Sequence, residues 1–466
     1  MPVNQANFTR DEILRATGGE GDAPNVRGVS TDTRALNEGA LFVALRGDNF
    51  DGHKFLSEAA KQGAGAALVE EDVPDAPLPL ILVKDTLAAL GTLAAAHRRR
   101  FDIPVVGVTG SYGKTTTRAF IAAALGAEYS VLSSQANFNN EIGVPQTLLQ
   151  LDETHDVAVI EMAMRGAGQI EYLAEMAHPT VAVITNIGPQ HIELLGGIEN
   201  IARAKAEILK FLPEDGTAIL PADDEFLDFF TDQVKGRTIQ RFGNNPSAEF
   251  HAGEVHIESD GRIRFDLTCY SDTSHHAETH HVSLPLPGAH NTSNAAAALA
   301  VAATLKVSMK AAAAALAEVE VPGARMKITQ SNGLTIIDDC YNAGPVSMRA
   351  ALETLRDFPN AKRRVAVLGS MKELGDWSES EHREIGAFAA QCADVVLGAG
   401  EEARVLIEAA REYCRTEQYS VETDWREDAE EAAKRAMEMA QGGDVVLVKG
   451  SRSVGLELVV NALARP

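Results

Sequence analysis

The 466-residue sequence has only four cysteines, Cys269, Cys340, Cys392 and Cys414. They are spread too widely for a C-x-x-C pair, a disulfide framework or a zinc site, which points to a reducing compartment. Long apolar runs are also missing. None approaches the roughly 18 residues of a membrane-spanning helix, so no membrane insertion is expected. The N-terminal stretch "MPVNQANFTRDEILRATGG" has no apolar signal core, and a cytoplasmic protein is expected. Basic residues are in the minority, 42 Lys and Arg against 66 Asp and Glu, a net charge of −24. Nothing therefore draws the chain to a polyanion, and general nucleic-acid binding is excluded, although a local loop can still hold a small anion. There is no internal repeat and no disordered linker, and a monomer is expected.

Hydrophobic residues make up 45% of the chain, enough for real cores. At roughly 100–200 residues per domain, two to four domains are expected. The pattern divides into three pieces, residues 1–100, 101–320 and 321–466. The first reads as a small α/β unit: the capped helix "FTRDEILRATGG", short strands such as "ALFVAL", and the helix "TLAALGTLAAAHRRRF". In the second, the apolar strands "VVGVTG", "DVAVIEMA" and "TVAVITNIG" alternate with helical patterns, which predicts a mostly parallel sheet covered on both faces. Antiparallel strands around turns follow within 246–287, then two alanine-rich helices. The third, with "TIIDDCY", "RRVAVLGS", "DVVLGAG" and "DVVLVKG", reads as a second doubly wound sheet.

The stretch "VVGVTGSYGKTTT", Val105 to Thr117, resembles a phosphate loop but departs from the usual spacing. A glycine is wanted five residues before Gly113, and Val108 stands there. The context compensates, because the loop joins a buried-strand pattern to a helix start, where free N–H groups and the helix dipole favour phosphate. Gly110 and Gly113 allow close backbone approach, with Ser111 and Thr116 completing the loop. Lys114 can neutralise phosphate oxygens, and the Thr115 hydroxyl can ligate Mg²⁺. Glu161 ends one following strand and His191 follows the next; ligands of open α/β sheets bind at such ends, and both residue types suit a divalent ion.

The segment "IENIARAKAEILKFL" predicts a helix with Ile201, Lys205, Ile208 and Leu212 on one face and Arg203, Glu207 and Lys210 on the other. A lysine in an apolar stripe either snorkels or pairs with a carboxylate, or is a desolvated amine with a lowered pKa that can react. Asn291 and Asn294 sit at a helix start, where they can cap the helix or read an adenine edge. Lys449 and Arg452 end a strand of the third piece and suit an anionic substrate. His275, His276, His280 and His281 could bind metal, but read better as part of an exposed hairpin.

Together these residues resemble the Mur ligases of peptidoglycan synthesis, over almost the whole chain. "VSTDTRALNEGALFVALRGDNFDGHKF" is similar to the family's UDP-binding segment, and "GVTGSYGKTTT" to its variant phosphate loop. "IEMAMRGAGQI", "TNIGPQHIELLGG", "ARAKAEI", "GAHNTSNAAAALA", "DCYNAGPVSMRAAL", "GSMKELG" and "VLVKGSRS" follow in family order. "NFNNEIGVPQTLL" is similar to the branch that joins D-alanyl-D-alanine to UDP-N-acetylmuramoyl-tripeptide. Ser370 stands where the family often has aspartate, and Gly344 where asparagine is expected.

The resemblance implies a UDP-binding first domain, a P-loop ATPase-type central domain and a Rossmann-like third, with ATP and two Mg²⁺ ions as cofactors. It implies an acyl-phosphate intermediate attacked by the dipeptide amine. Lys114 would hold the transferred phosphoryl group; Thr115 and Glu161 would hold one Mg²⁺ and His191 a second, beside a carbamylated Lys205. Asn291, Arg325 and Asp339 would contact the nucleotide. Substrate contacts would come from Ser30, Thr31, Asp32, Arg34, Gly47, Asp51, Gly52, His53, Asn137, Asn139, Asn140, Tyr341, Asn342, Lys449 and Arg452. The alternatives are the ligase that adds the third peptide residue and folylpolyglutamate synthase; the first domain disfavours the latter. From another class, a nucleotide-regulated binding protein without ligase activity is argued against by the strand-end metal candidates and Lys205.

Overall fold

Three sheets organise the computed structural model, which describes residues 4, 6–270 and 277–465. The first runs, in spatial order, Glu20–Gly21, Leu80–Leu82, Ala66–Val69, Leu41–Val43 and Val29–Ser30, all parallel except the first pair. Its helix Thr86–Arg98 starts where the Asp85 carboxylate accepts from the Ala88 N–H. Mid-helix glycine costs about 1 kcal/mol against alanine. Space demands it at Gly91, because a Cβ there would lie 2.1 Å from the Tyr172 hydroxyl of the central piece.

The central sheet begins with seven parallel strands, Val131–Ser133, Val157–Glu161, Val105–Thr109, Val181–Ile184, Thr217–Pro221, Thr238–Gly243 and Phe250–Ala252. Val105–Thr109 is buried along its whole length, as a strand covered on both faces must be. Antiparallel strands extend the edge: Ile263–Tyr270 pairs with Ala277–Leu284, forming the expected hairpin. His280 and the exposed His281 lie on it; His275 and His276 fall outside the described residues.

The third sheet orders Lys327–Ser331, Leu334–Asp338, Asp444–Lys449, Arg363–Gly369, Val395–Ala399 and Glu422–Arg426, parallel after an antiparallel first pair. Apolar packing runs between the pieces. One cluster joins Leu41 and Leu90 to Val105, Ile160 and Ile208; another joins Val106, Phe120 and Leu299 to Ile337, Met348 and Leu447.

One predicted element differs. The α-helix ends at Ala206, and Glu207–Phe211 is a 3₁₀ turn. Glu207 is not on an outer face but buried. Its carboxylate accepts from the Gly168 and Glu171 N–H groups at 2.8 and 3.0 Å, satisfying the start of helix Gln169–Ala177.

Candidate active site

Strand Val105–Thr109 lies between Val157–Glu161 and Val181–Ile184, so the three strand ends that carry the phosphate loop, Glu161 and the His191 loop open on one edge. Gly110 has φ 143° and Gly113 φ 77°; a Cβ on the first would meet Thr185 Oγ1 at 2.0 Å and on the second Asn294 Oδ1 at 2.7 Å. Both conformation and space therefore require glycine. Ser111 ties the loop down: its N–H donates to the Asn186 carbonyl, and its hydroxyl bonds the Gly188 backbone at 3.0 Å. No side chain caps helix Lys114–Leu125, so its first-turn N–H groups are free for an anion.

The Lys114 ammonium donates to the Gly110 and Ser111 carbonyls at 2.7 and 2.8 Å and to Gln190 Oε1 at 3.3 Å. Desolvation lowers its pKa to about 8; Glu161 opposes the shift and Arg325 adds to it. Thr115 Oγ1 donates to Glu161 Oε1 at 3.1 Å, and Asn139 Nδ2 reaches the same oxygen at 2.8 Å. The other oxygen takes Arg118 Nε at 3.2 Å. Arg118 is buried and also bonds Ser133 Oγ and the Ser134 carbonyl. Sequence reasoning passed over it, since an arginine after the polar first turn of a helix reads as a surface charge.

His191 has a left-handed backbone, φ 58°, and its Nδ1 lies 2.7 Å from Glu373 Oε2 of the third piece, off the ring N–H direction. Burial lowers its pKa against the pull of Glu373. Lys205 is 1% exposed and has no hydrogen bond or ion pair to a described residue. The paired alternative therefore has no carboxylate partner among the described residues, and little of the side chain reaches the surface. Burial drives its pKa well down, reinforced by the Lys114 charge, while Glu207 and Glu161 pull the other way.

The third sheet supplies the facing wall. Arg325 stacks on Tyr341, 3.7 Å from the ring centroid, with Arg452 at 6.0 Å. Lys449 is buried and pairs with Asp339 at 2.6 Å while donating to the Asn342 carbonyl at 2.9 Å. The two therefore hold each other, and neither is a free charge. A cleft of about 1260 Å³ brings together Ser111, Gly113, Lys114, Thr115, Thr116, Glu161 and His191 with Arg325, Asp339, Tyr341, Asn342, Lys449 and Arg452. Asn137, Asn139 and Asn291 also line it.

Asn291 and Asn294 do not cap the helix. It begins at His290, and the two lie inside the first turns, Asn291 donating to the Pro287 carbonyl and Asn294 to Asn291 Oδ1. Asn140 is used locally, accepting from the Gly143 N–H at 3.0 Å.

The first-sheet candidates stand away from this cleft. Ser30 bonds the Asp32 backbone, Asp32 pairs with Arg34 at 2.7 Å, and Thr31 accepts from Gln146 Nε2 at 2.7 Å, linking the first and central pieces. Gly47 lies on a small hairpin with Asp51 nearby. His53 is buried with both ring nitrogens engaged, by Asp51 at 2.8 Å and the Glu70 N–H at 2.9 Å, so it braces the loop and presents no free nitrogen to a ligand. Gly52 is set by space; a Cβ there would lie 2.7 Å from the Ala44 carbonyl carbon.

Among the described residues no three His, Cys, Asp or Glu side chains gather as a metal site. One carboxylate beside a threonine hydroxyl at a phosphate loop nevertheless fits Mg²⁺, which takes few protein ligands and fills the rest with phosphate oxygens and water.

A parallel sheet ending in a phosphate loop, faced by a second doubly wound sheet across a cleft lined by charges of both signs, defines a nucleotide-phosphate-handling α/β enzyme. Family models match three stretches, described as Mur ligase family, catalytic domain over residues 25–98, Mur ligase middle domain over 108–302, and Mur ligase, glutamate ligase domain over 324–452. The UDP-N-acetylmuramoyl-tripeptide–D-alanyl-D-alanine ligase of Synechocystis is 41% identical over 447 residues, which span 94% of this chain and 92% of that one. A crystal structure of MurF from Acinetobacter baumannii superposes with a TM-score of 0.89 at 31% identity over 100% of both chains. The MurF ligase of Thermotoga maritima in complex with ADP gives 0.81 at 30% identity over 94% and 96%. The chain belongs to the Mur ligase family.

Proposed function

We propose that this ligase joins D-alanyl-D-alanine to UDP-N-acetylmuramoyl-tripeptide at the expense of ATP. The observation that carries the reading is the cleft in which Lys114, Thr115 and Glu161 face Arg325, Lys449 and Arg452, in a chain whose relatives carry that name over nearly their whole length. The tripeptide carboxylate attacks the γ-phosphorus of ATP and ADP leaves. The dipeptide amine then attacks the acyl carbon, inorganic phosphate leaves, and the amine gives up a proton. Lys114 neutralises phosphoryl charge, and the free N–H groups of helix Lys114–Leu125 orient the phosphates. Thr115 and Glu161 would hold one Mg²⁺, which supplies charge neutralisation between the phosphates, and His191 a second once freed from Glu373. Lys205, buried and without a partner among the described residues, fits a carbamate, which would exchange its positive charge for a negative one. The first sheet would take the UDP moiety around Ser30 to Arg34, as part of a three-domain division near residues 100 and 320.

No helix among the described residues is long and apolar enough to cross a membrane, and a monomer in the cytoplasm is part of the proposal. ADP release should require UDP-tripeptide and D-alanyl-D-alanine together; equal turnover with a single amino acid in place of the dipeptide would sink the assignment.

A further inference from the structure

Tyr112 lies in the phosphate loop between Ser111 and Gly113. Its N–H donates to Asn186 Oδ1 at 2.9 Å, and its carbonyl accepts from Thr185 Oγ1 at 2.6 Å and Asn186 Nδ2 at 3.1 Å, so the backbone is fixed. The ring lies between two glycines. A Cβ on Gly188, in the loop after strand Val181–Ile184, would stand 2.6 Å from Tyr112 Cε2. A Cβ on Gly344, the residue before helix Pro345–Asp357 of the third piece, would stand 3.0 Å from the phenol oxygen and 3.1 Å from Cε1. Gly344 has φ −154°, extended backbone that any residue adopts, so any preference for glycine there comes from the tight space beside the ring. A larger residue at Gly344, such as the asparagine expected from the resemblance, would press on the ring and require it to shift by a few tenths of an ångström or more. The phenol oxygen is shielded and has no hydrogen-bond partner among the described residues, so the ring's shape, not its hydroxyl, makes the contact.

We propose that Tyr112 is a positioning residue for the ligation: its ring, slotted between Gly188 and Gly344, sets the third sheet's register against the phosphate loop. The phosphate loop and the wall bearing Arg325 and Arg452 belong to different sheets, yet they share one cleft. A rigid ring on a backbone held by three hydrogen bonds to the Thr185 and Asn186 side chains, and seated against the opposite wall, couples the two. The loop's own grip on phosphate comes from Gly110, Lys114 and the helix start, and does not need the ring. The inference rests on the reaction proposed above, because only a two-substrate transfer needs both walls in register.

The test uses Y112A, Y112F and G344N in the full-length enzyme. ADP affinity is read by calorimetry, the radius of gyration with ADP by X-ray scattering, and kcat by ADP release with both co-substrates. Y112F should match the unaltered enzyme within about twofold in every reading. Y112A and G344N should keep ADP affinity within about threefold while kcat falls at least about tenfold and the ADP-bound molecule becomes larger. A Y112S/G344N double variant should recover most of the lost kcat, which removal of a merely structural contact would not produce. Should Y112A lose its fold, G344N, whose loop sequence is intact, decides by the same split. Unchanged kcat and size in G344N, or ADP affinity that falls in step with kcat, would overturn the proposal. If the unaltered enzyme showed no dipeptide-dependent turnover, the reaction assignment would fail, while calorimetry and scattering would still report on the ring.

Discussion

Lys114 and Lys205 are two lysines within one electrostatic neighbourhood, one half-buried at the cleft and the other almost fully buried, and their chemistry separates accordingly. Lys114 faces the cleft with a pKa lowered to about 8. Below that pH the ammonium is present to meet phosphate; above it the free enzyme must take up a proton to bind. ADP affinity measured by calorimetry without metal should therefore hold up to about pH 8 and then weaken by up to about tenfold per pH unit. A K114R variant, charged throughout, should show no such bend, and a flat profile in the native protein would contradict the assignment. K114A should abolish acyl-phosphate formation while UDP-substrate binding survives, since the first-sheet candidates lie away from the cleft. For Lys205, burial without a partner favours the neutral amine. K205A should fold normally and lose most activity, with short carboxylates in trans restoring part of it. A carbon-13 carbamate signal from labelled bicarbonate should be present in the native protein and absent in K205A. A fully active enzyme without that signal would leave Lys205 a bare amine.

At the scale of the element, the loop after strand Arg363–Gly369 carries Glu373 to His191 and is held by a residue in a different helix. His382, in helix Ser378–Cys392, is fully buried; its Nε2 accepts from the Met371 N–H at 2.9 Å and its Nδ1–H donates to the Ser378 carbonyl at 2.7 Å. Desolvation lowers its pKa, the Ser378 carbonyl opposing. The unfolded chain therefore binds the proton first as pH falls, and stability should be lost below about pH 6.5. H382A leaves the Met371 N–H unpaired and a cavity, a cost of about 2–4 kcal/mol by urea denaturation; a loss under 1 kcal/mol with unaltered pH dependence would refute the bracing role. Such long-range braces mark where sequence reading stops. The strand–loop–helix at Val105–Leu125, Glu161 at its strand end and the anomalous lysine were legible because period and position are local properties. Arg118 and Glu207 were not, because a charged side chain in a helix looks solvent-facing until the carboxylate or helix start it serves is known. The capping alternative for the helix-start asparagines failed for the same reason, since Asn294 is placed by Thr117 and Asn291, not by its own helix end. Edge strand Glu422–Arg426 has one apolar residue, Trp425, and shows no apolar run to read.

Across the whole molecule, the cleft exists only because the third piece leans over the central loop, and two kinds of contact hold it there. The apolar cluster through Val106, Phe120, Ile337 and Met348 is large and buried. At the rim, among the described residues, Glu373 alone carries charge across: 2.7 Å from Arg165 Nη2 and 2.7 Å from His191 Nδ1. Glu373 is 39% exposed at its side chain, so each rim pair contributes no more than about 1 kcal/mol after solvent screening. It also has φ 63°, a conformation that costs a non-glycine residue about 1 kcal/mol or more, so the contact opposes a local strain. The rim pairs are then a weak catch that biases closure without locking it, as expected where a reactive acyl phosphate must be shielded from water and product must still leave. ATP analogue with UDP-tripeptide should shrink the radius of gyration in X-ray scattering, and E373A should enlarge the ligand-free molecule while lowering kcat/KM by no more than about tenfold. High salt should imitate E373A in the native enzyme and add nothing in the variant. Identical scattering with and without ligands would count against closure as a step, and a loss in E373A far beyond tenfold would show that Glu373 acts on the chemistry and not on the arrangement of the walls.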